Sequence, residues 1–192
     1  RGSVMSISNA KAEKSAAGRS EAYEWLQSIV VAIIICVIIF TFFVRLVDVV
    51  GPSMNPTLEN GDKMVVSGLF YKPKQGDIVI FRKDEYKPDA LVKRVIATEG
   101  QTVEIDFNKG IVKVDGVALD EPYIAAPTIN QLDFSGKQVV PEGCVFVMGD
   151  NRNDSTDSRK AEIGMVDERM IVGKVYFVIF PLDRIGSPYG NM

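Results

Sequence analysis

A short run of rigid and hydroxyl-bearing residues carries the first chemical signal in this sequence. The run Gly51-Pro52-Ser53-Met54-Asn55-Pro56-Thr57 offers Ser53 as a nucleophile, although a serine in a proline-rich turn is more often only a turn residue. The chain contains no histidine, so a Ser-His-Asp arrangement is excluded and another base has to take the serine proton. We expect Gly51 and Pro52 to stiffen the backbone before the hydroxyl, so that the following amides point at a developing oxyanion.

A lysine inside an apolar strand is the candidate base. Lys93 stands in the sequence Leu91-Val92-Lys93-Arg94-Val95-Ile96. Strand neighbours face opposite sides, so Lys93 points inwards if Arg94 is the residue that faces solvent. The alternative is a solvent-facing lysine, as in most strands. Burial lowers a lysine pKa from about 10.4, and at a pKa of roughly 8 the neutral amine can accept the Ser53 proton. Val92 and Met54 are candidates for the apolar walls.

A dense polar block forms the third signal. Residues 149–159 read Gly-Asp-Asn-Arg-Asn-Asp-Ser-Thr-Asp-Ser-Arg, too many turn formers and charges for an ordinary solvated loop, which is the alternative. The two cysteines, Cys36 and Cys144, are far apart, so with no histidine we expect neither a metal nor a cofactor. A net charge of −3 and a pI near 5.1 argue against nucleic acid as a partner.

An apolar run precedes these motifs. Residues 25–44 are uncharged, and a helix of that length matches the roughly 30 Å of a bilayer core. The alternatives are a buried core helix and a cleavable signal peptide; the run lacks a polar face and is followed by no small-x-small site. Basic residues before the run (Arg1, Lys11, Lys14 and Arg19) outnumber the one that closely follows it, Arg45. This bias predicts a cytoplasmic N-terminus and an external C-terminal domain.

Short strands dominate the rest of the sequence. Apolar runs bounded by Gly, Asp and Asn turns predict strands at residues 46–50, 63–67, 77–81, 91–98, 102–106, 111–114, 143–148 and 171–180. We therefore predict a disordered segment 1–24, a transmembrane helix 25–44 and a mostly-β domain 45–192. Residues 103–140 are expected to form a small inserted subdomain, in which the charged loop 120–140 is exposed.

The three motifs, in this order and behind one transmembrane segment, resemble the bacterial type I signal peptidases of the Gram-positive kind. The resemblance covers residues from about 25 to 180 and includes the Gly76-Asp77-Ile78-Val79-Ile80-Phe81 strand. It implies a mostly-β signal-peptidase fold and a membrane-anchored serine endopeptidase with a Ser-Lys dyad on the outer face of the cell membrane. Its substrates would be the signal peptides of exported preproteins, cut after small residues at −1 and −3.

The resemblance also implies roles for individual residues. Ser53 and Lys93 match the nucleophile and the base, and Ser155 matches the serine that orients the lysine. Asp157 and Arg159 match an ion pair that supports the site, and further scaffold positions are matched by Asp150 and Arg152. Gram-negative members carry a hydroxyl residue where this chain has Gly51, so the oxyanion donors expected here are backbone amides, chiefly that of Ser53, with that of Gly51 as a second candidate.

Two other functions remain possible from the sequence. A self-cleaving Ser-Lys protease of the SOS-repressor type would need a DNA-binding domain, for which no sequence is left. A surface-anchored, non-catalytic β binding module would leave the buried lysine and the polar block 149–159 without a role.

Overall fold

The structure, a computed structural model, describes residues 23–38, 45–83 and 86–190. Residues 23–38 are helical, and within the described part of the chain no helix is long and apolar enough to cross a membrane. Residues 1–22 of the predicted disordered segment lie outside the described residues. Residues 39–44 of the predicted transmembrane helix lie outside them as well. The chain divides into two units, Arg1–Phe43 and Val44–Met192.

The second unit is built from short antiparallel strands. In chain order these are β1 Arg45–Asp48, β2 Lys63–Ser67, β3 Ile78–Lys83, β4 Lys87–Thr98, β5 Thr102–Asp106, β6 Ile111–Val114, β7 Val117–Ala118, β8 Lys137–Val139, β9 Cys144–Met148, β10 Val166–Asp167 and β11 Ile171–Phe180. Two 3-10 helices, Glu168–Met170 and Leu182–Arg184, flank β11. The mostly-β prediction is confirmed, although β7, β8 and β10 were missed because two or three residues show no periodicity.

A seven-stranded sheet positions all three motifs: Lys93 lies in β4, Ser53 lies in the loop between β1 and β2, and residues 149–159 follow β9. Its order is β1-β2-β11-β3-β4-β9-β10. Strand β2 alternates between exposed and buried residues, with Met64 and Val66 in the core, as expected for a strand covered on one face. Strand β3 lies between β11 and β4, and its residues 78–81 are all buried. Such two-sided burial explains why this strand reads as a continuous apolar run.

Four strands between residues 102 and 139, where an inserted region is predicted, form a second sheet in the order β7-β6-β5-β8. Strands β5 and β6 form a hairpin, with Asp106 opposite Ile111. The loop predicted to be exposed is in part buried: Thr128, Phe134 and Val140 are each at most 1% exposed. Phe134 packs edge-on against Phe146 of the large sheet at a centroid distance of 5.7 Å, so a shared apolar core joins the two sheets.

Candidate active site

Ser53 lies in a compact turn between β1 and β2. The Asn55 amide donates to the Pro52 carbonyl at 3.0 Å, and the Leu58 amide donates to that of Met54 at 3.0 Å. Met54 and Leu58 are buried in the core beneath the large sheet. The packing of these two apolar side chains therefore holds the turn in place, while Ser53 remains partly exposed.

Lys93 contacts Ser53 from β4, a strand that β11 and β3 separate from β2 in the sheet order. Its Nζ lies 2.8 Å from Ser53 Oγ and also donates to the Val92 carbonyl at 2.9 Å. Lys93 is only 3% exposed. Burial lowers the pKa of its ammonium to about 8, although the negative charges of Asp157 and Asp150 act in the opposite direction. A neutral amine in this position can still donate to Val92 while its lone pair accepts the hydroxyl proton of Ser53.

Arg94 is buried as well, which corrects the premise that it faces solvent. Lys93 and Arg94 lie on opposite faces of β4, as strand alternation predicts, but both faces are buried. The Arg94 guanidinium donates to both carboxylate oxygens of Asp150, at 2.8 and 2.7 Å, and to the Gly76 carbonyl at 2.9 Å. It also lies 3.8 Å above the ring of Tyr123. A buried arginine is tolerable here because a carboxylate and a carbonyl satisfy it.

Residues 149–151 bind the turn that carries Ser53 to the rest of the site. Asp150 accepts a 2.6 Å hydrogen bond from the Thr57 hydroxyl, and the Asn151 amide donates to the Ser53 carbonyl at 3.1 Å. A Cβ on Gly149 would collide with the Ser53 carbonyl and with Ser155 Oγ. Only glycine fits this close approach of two backbone segments.

Asp157 pairs with Arg159, as in the ion pair that the resemblance implies. Arg159 donates to both oxygens of Asp157, at 2.9 and 2.8 Å, and both side chains are fully buried. The Asp157 carboxylate also accepts the Gly149 amide at 3.0 Å. The Ser155 hydroxyl is buried against Gly149 and has no hydrogen-bond partner among the described residues. The expected bond from Ser155 to Lys93 is not formed here, and its orienting role stays a prediction.

Arg152 was expected to support the site, but its partner was missed. The Arg152 guanidinium forms a fork with Glu121 at 2.6 and 3.0 Å and also donates to the Thr128 hydroxyl at 3.1 Å. Both partners come from the loop that was predicted to be exposed. No local signal marks Glu121, because its partner stands 31 residues further along the chain.

The two expected oxyanion donors differ in what they already bind. Gly51 has a φ of 92°, and its amide donates to the Asn60 side chain at 2.9 Å. Its N–H is therefore engaged, which corrects the idea that it serves the oxyanion. The Ser53 amide makes no hydrogen bond among the described residues, and it remains the candidate donor.

A cavity of about 280 Å³ opens beside the dyad. Residues 47–50 line one side and residues 89–92 line the other, with Ser53, Met54 and Lys93 between them. The predicted pocket residues Met54 and Val92 both line this cavity. A larger cavity of about 500 Å³ contains neither Ser53 nor Lys93 in its wall, so the smaller one is the candidate substrate pocket.

Comparison with known proteins identifies the family. Residues 22–180 match the family described as signal peptidase, peptidase S26. The chain is 35% identical over 187 residues to signal peptidase I of Bacillus licheniformis, covering 90% of this chain and 96% of that protein. It is 39% identical over 169 residues to a probable signal peptidase I-1 of Synechocystis, covering 83% of each.

A further relative and a solved structure also match the chain. The chain is 35% identical over 184 residues to signal peptidase IB of Staphylococcus aureus, covering 86% of this chain and 93% of that protein. A crystal structure of a signal peptidase I from Enterococcus faecalis is 30% identical, with a TM-score of 0.45, and covers 54% of this chain and 97% of its own. The family match spans residues 22–180, and the alignments with the relatives cover most of each chain. The chain therefore belongs to the S26 family of signal peptidases, which are serine endopeptidases.

Proposed function

We propose that this chain removes signal peptides from exported preproteins, with Ser53 as the nucleophile and Lys93 as the general base. One observation carries the proposal: the Nζ of a lysine that is 3% exposed lies 2.8 Å from the Ser53 hydroxyl. The distance is short enough for direct proton transfer, and burial supplies the neutral amine that a base requires.

The chemistry follows from these two groups. Lys93 takes the hydroxyl proton as Ser53 Oγ attacks the scissile carbonyl, and the Ser53 amide stabilises the oxyanion. The resulting ammonium then gives its proton to the leaving amine of the mature protein, which leaves the signal peptide as an ester on Ser53. Lys93 next removes a proton from water, which attacks the ester and releases the signal peptide as a carboxylate. The free serine and the neutral lysine are restored.

The pocket supports cleavage after small residues. A substrate lying extended between residues 47–50 and 89–92 would turn its −1 and −3 side chains to the same face, because strand side chains alternate. Those side chains would meet the surface formed by Met54 and Val92, which line a cavity of about 280 Å³ with Ser53 and Lys93. That volume is shared along an extended segment, so it favours alanine over bulky residues.

The anchor is part of the proposal. The uncharged run 25–44 and the basic residues before it support a single-pass protein of the cell membrane. In this topology the N-terminus is cytoplasmic and the catalytic unit lies on the outer face. The lipid bilayer then presents the substrate, because a signal peptide's own apolar core resides there.

The dyad is tested with the detergent-solubilised chain and a preprotein whose signal peptide ends in Ala-x-Ala. We expect a shift in gel mobility to the mature length, and the loss of that shift in Ser53→Ala and in Lys93→Arg. Arginine keeps the charge but cannot act as a base near neutral pH. Cys144→Ala is a matched control that should cleave normally. Near-normal turnover by Lys93→Arg would show that Lys93 is not the base.

A further inference from the structure

The inserted region contributes two side chains to the framework of the catalytic site. Glu121 and Tyr123 stand outside all three motifs, yet each contacts a buried arginine of that framework. We propose that Glu121 and Tyr123 are positioning residues of the dyad, acting through Arg152 and Arg94. The inference rests on the proposed Ser53/Lys93 chemistry and assigns a catalytic consequence to the insertion.

The first line of contacts runs from Glu121 to the carbonyl of Ser53. The Glu121 side chain is 6% exposed and that of Arg152 is fully buried, so the pair is shielded from solvent. Arg152 Nε donates to the Gly149 carbonyl at 3.1 Å, and two residues further on the Asn151 amide holds the Ser53 carbonyl. Without Glu121, the buried Arg152 charge would lose its counter-ion and would have to move or take up water.

The second line runs from Tyr123 to both members of the dyad. The Tyr123 ring lies 3.8 Å from the Arg94 guanidinium, a distance at which a cation and an aromatic face attract each other. Arg94 follows Lys93 in β4 and donates two hydrogen bonds to Asp150. Asp150 in turn accepts a hydrogen bond from the hydroxyl of Thr57, which lies four residues after Ser53. A shift of Arg94 therefore moves the lysine strand and the nucleophile turn together.

The two lines of contact meet at residues 149–151, which bind the Ser53 carbonyl through Asn151 and Arg94, the neighbour of Lys93, through Asp150. The reacting atoms need placement to within a fraction of an ångström, since a misplacement of about 1 Å can cost on the order of a hundredfold in rate. Neither Glu121 nor Tyr123 lines the cavity beside the dyad. Their loss should therefore lower kcat and leave KM for a short substrate nearly unchanged.

The experiment measures kcat and KM of the full detergent-solubilised chain on a soluble peptide with alanine at −1 and −3. For Glu121→Gln we expect kcat to fall on the order of tenfold or more, with KM within about twofold of the wild type. Glu104→Gln is the matched control, because Glu104 lies in the same insertion and forms an exposed ion pair with Lys137. This control should leave both constants unchanged.

Tyr123 offers a conservative pair of variants. Tyr123→Phe keeps the ring over Arg94 and should retain most of the wild-type kcat, whereas Tyr123→Leu should lose on the order of tenfold. This pair decides the matter by itself if Glu121→Gln does not fold, as judged by thermal unfolding. Equal kcat values for the phenylalanine and leucine variants would overturn the role of the ring.

A double mutant tests whether Glu121 acts through Arg152. If it does, Glu121→Gln combined with Arg152→Gln should lose no more kcat than Arg152→Gln alone. Additive losses, or a wild-type kcat in both Glu121→Gln and Tyr123→Leu, would overturn the inference. The Ser53→Ala variant distinguishes the two proposals. If Ser53→Ala cleaves the substrate, the dyad is refuted. If Ser53→Ala is inactive while the Glu121 and Tyr123 variants are fully active, only the positioning role is refuted.

Discussion

The pKa of Lys93 gives the sharpest prediction for this site. Burial lowers it from 10.5 to about 8. At pH 7 about one lysine in ten is then neutral, compared with about one in 3,000 at the unperturbed value, a gain of roughly 300-fold in active base. We expect kcat/KM on a short peptide to rise about tenfold per pH unit below pH 8 and to level off above it.

Replacing Asp157 tests the cause of this pKa. Burial lowers the Lys93 pKa, and the negative charge of Asp157 is the larger of the two carboxylate effects that raise it. In Asp157→Asn that charge is gone, and the positive charge of Arg159 is no longer balanced. Both changes disfavour the ammonium, so the acidic limb of the pH profile should move to lower pH even though the maximal rate falls. A shift of the limb to higher pH would refute the reasoning.

Stability should follow the same titration. Below pH 8 Lys93 is protonated in both the folded and the unfolded chain, and the folded state carries a penalty of about 3 kcal/mol. Between pH 8 and 10.5 the folded chain has released this proton while the unfolded chain has not, so the free energy of unfolding rises with pH. Lys93→Met should remove that rise, as measured by denaturant unfolding across this pH range. An unchanged rise in the variant would assign it to another group.

Three further variants probe the surroundings of the dyad. Gly149→Ala should lower kcat strongly and cost about 1–3 kcal/mol of stability, because its methyl group would collide with the Ser53 carbonyl; a fully active variant would contradict the close packing. Ser155→Ala should lower kcat with little effect on KM if this hydroxyl orients Lys93, and an unchanged kcat would exclude that role. Removing the chain before Leu46 should spare cleavage of short peptides but weaken processing of membrane-inserted preproteins, which a comparison of both substrates at equal enzyme concentration would reveal.

The sequence predicted those parts of the fold that depend on local periodicity. The strand Lys63–Ser67 has the expected bounds because its alternation reflects one buried and one open face. The lysine strand begins at Lys87, four residues before the expected start at residue 91. The extra residues include Asp89 and Ala90, which line the cavity beside the dyad and carry no strong strand signal.

The burial of Arg94 was not predictable from the same periodicity. Simple alternation predicts one solvent-facing side for β4, whereas β4 is buried on both faces from Lys93 to Ala97. Whether a strand has an open face depends on elements distant in sequence. The inward direction of Lys93 was therefore correctly expected, although the reason given for it was wrong.

The pairing of the buried charges explains how a neutral lysine can exist beside two aspartates. Unbalanced carboxylates near Lys93 would raise its pKa and keep it protonated. Asp150 instead binds Arg94 and Asp157 binds Arg159, and all four side chains are fully buried. The third buried arginine, Arg152, also needs a carboxylate to balance its charge, and Glu121 of the inserted region supplies it. The predicted inserted region thus completes the charge balance of the polar block 149–159 through Glu121, a residue that lies outside the three motifs.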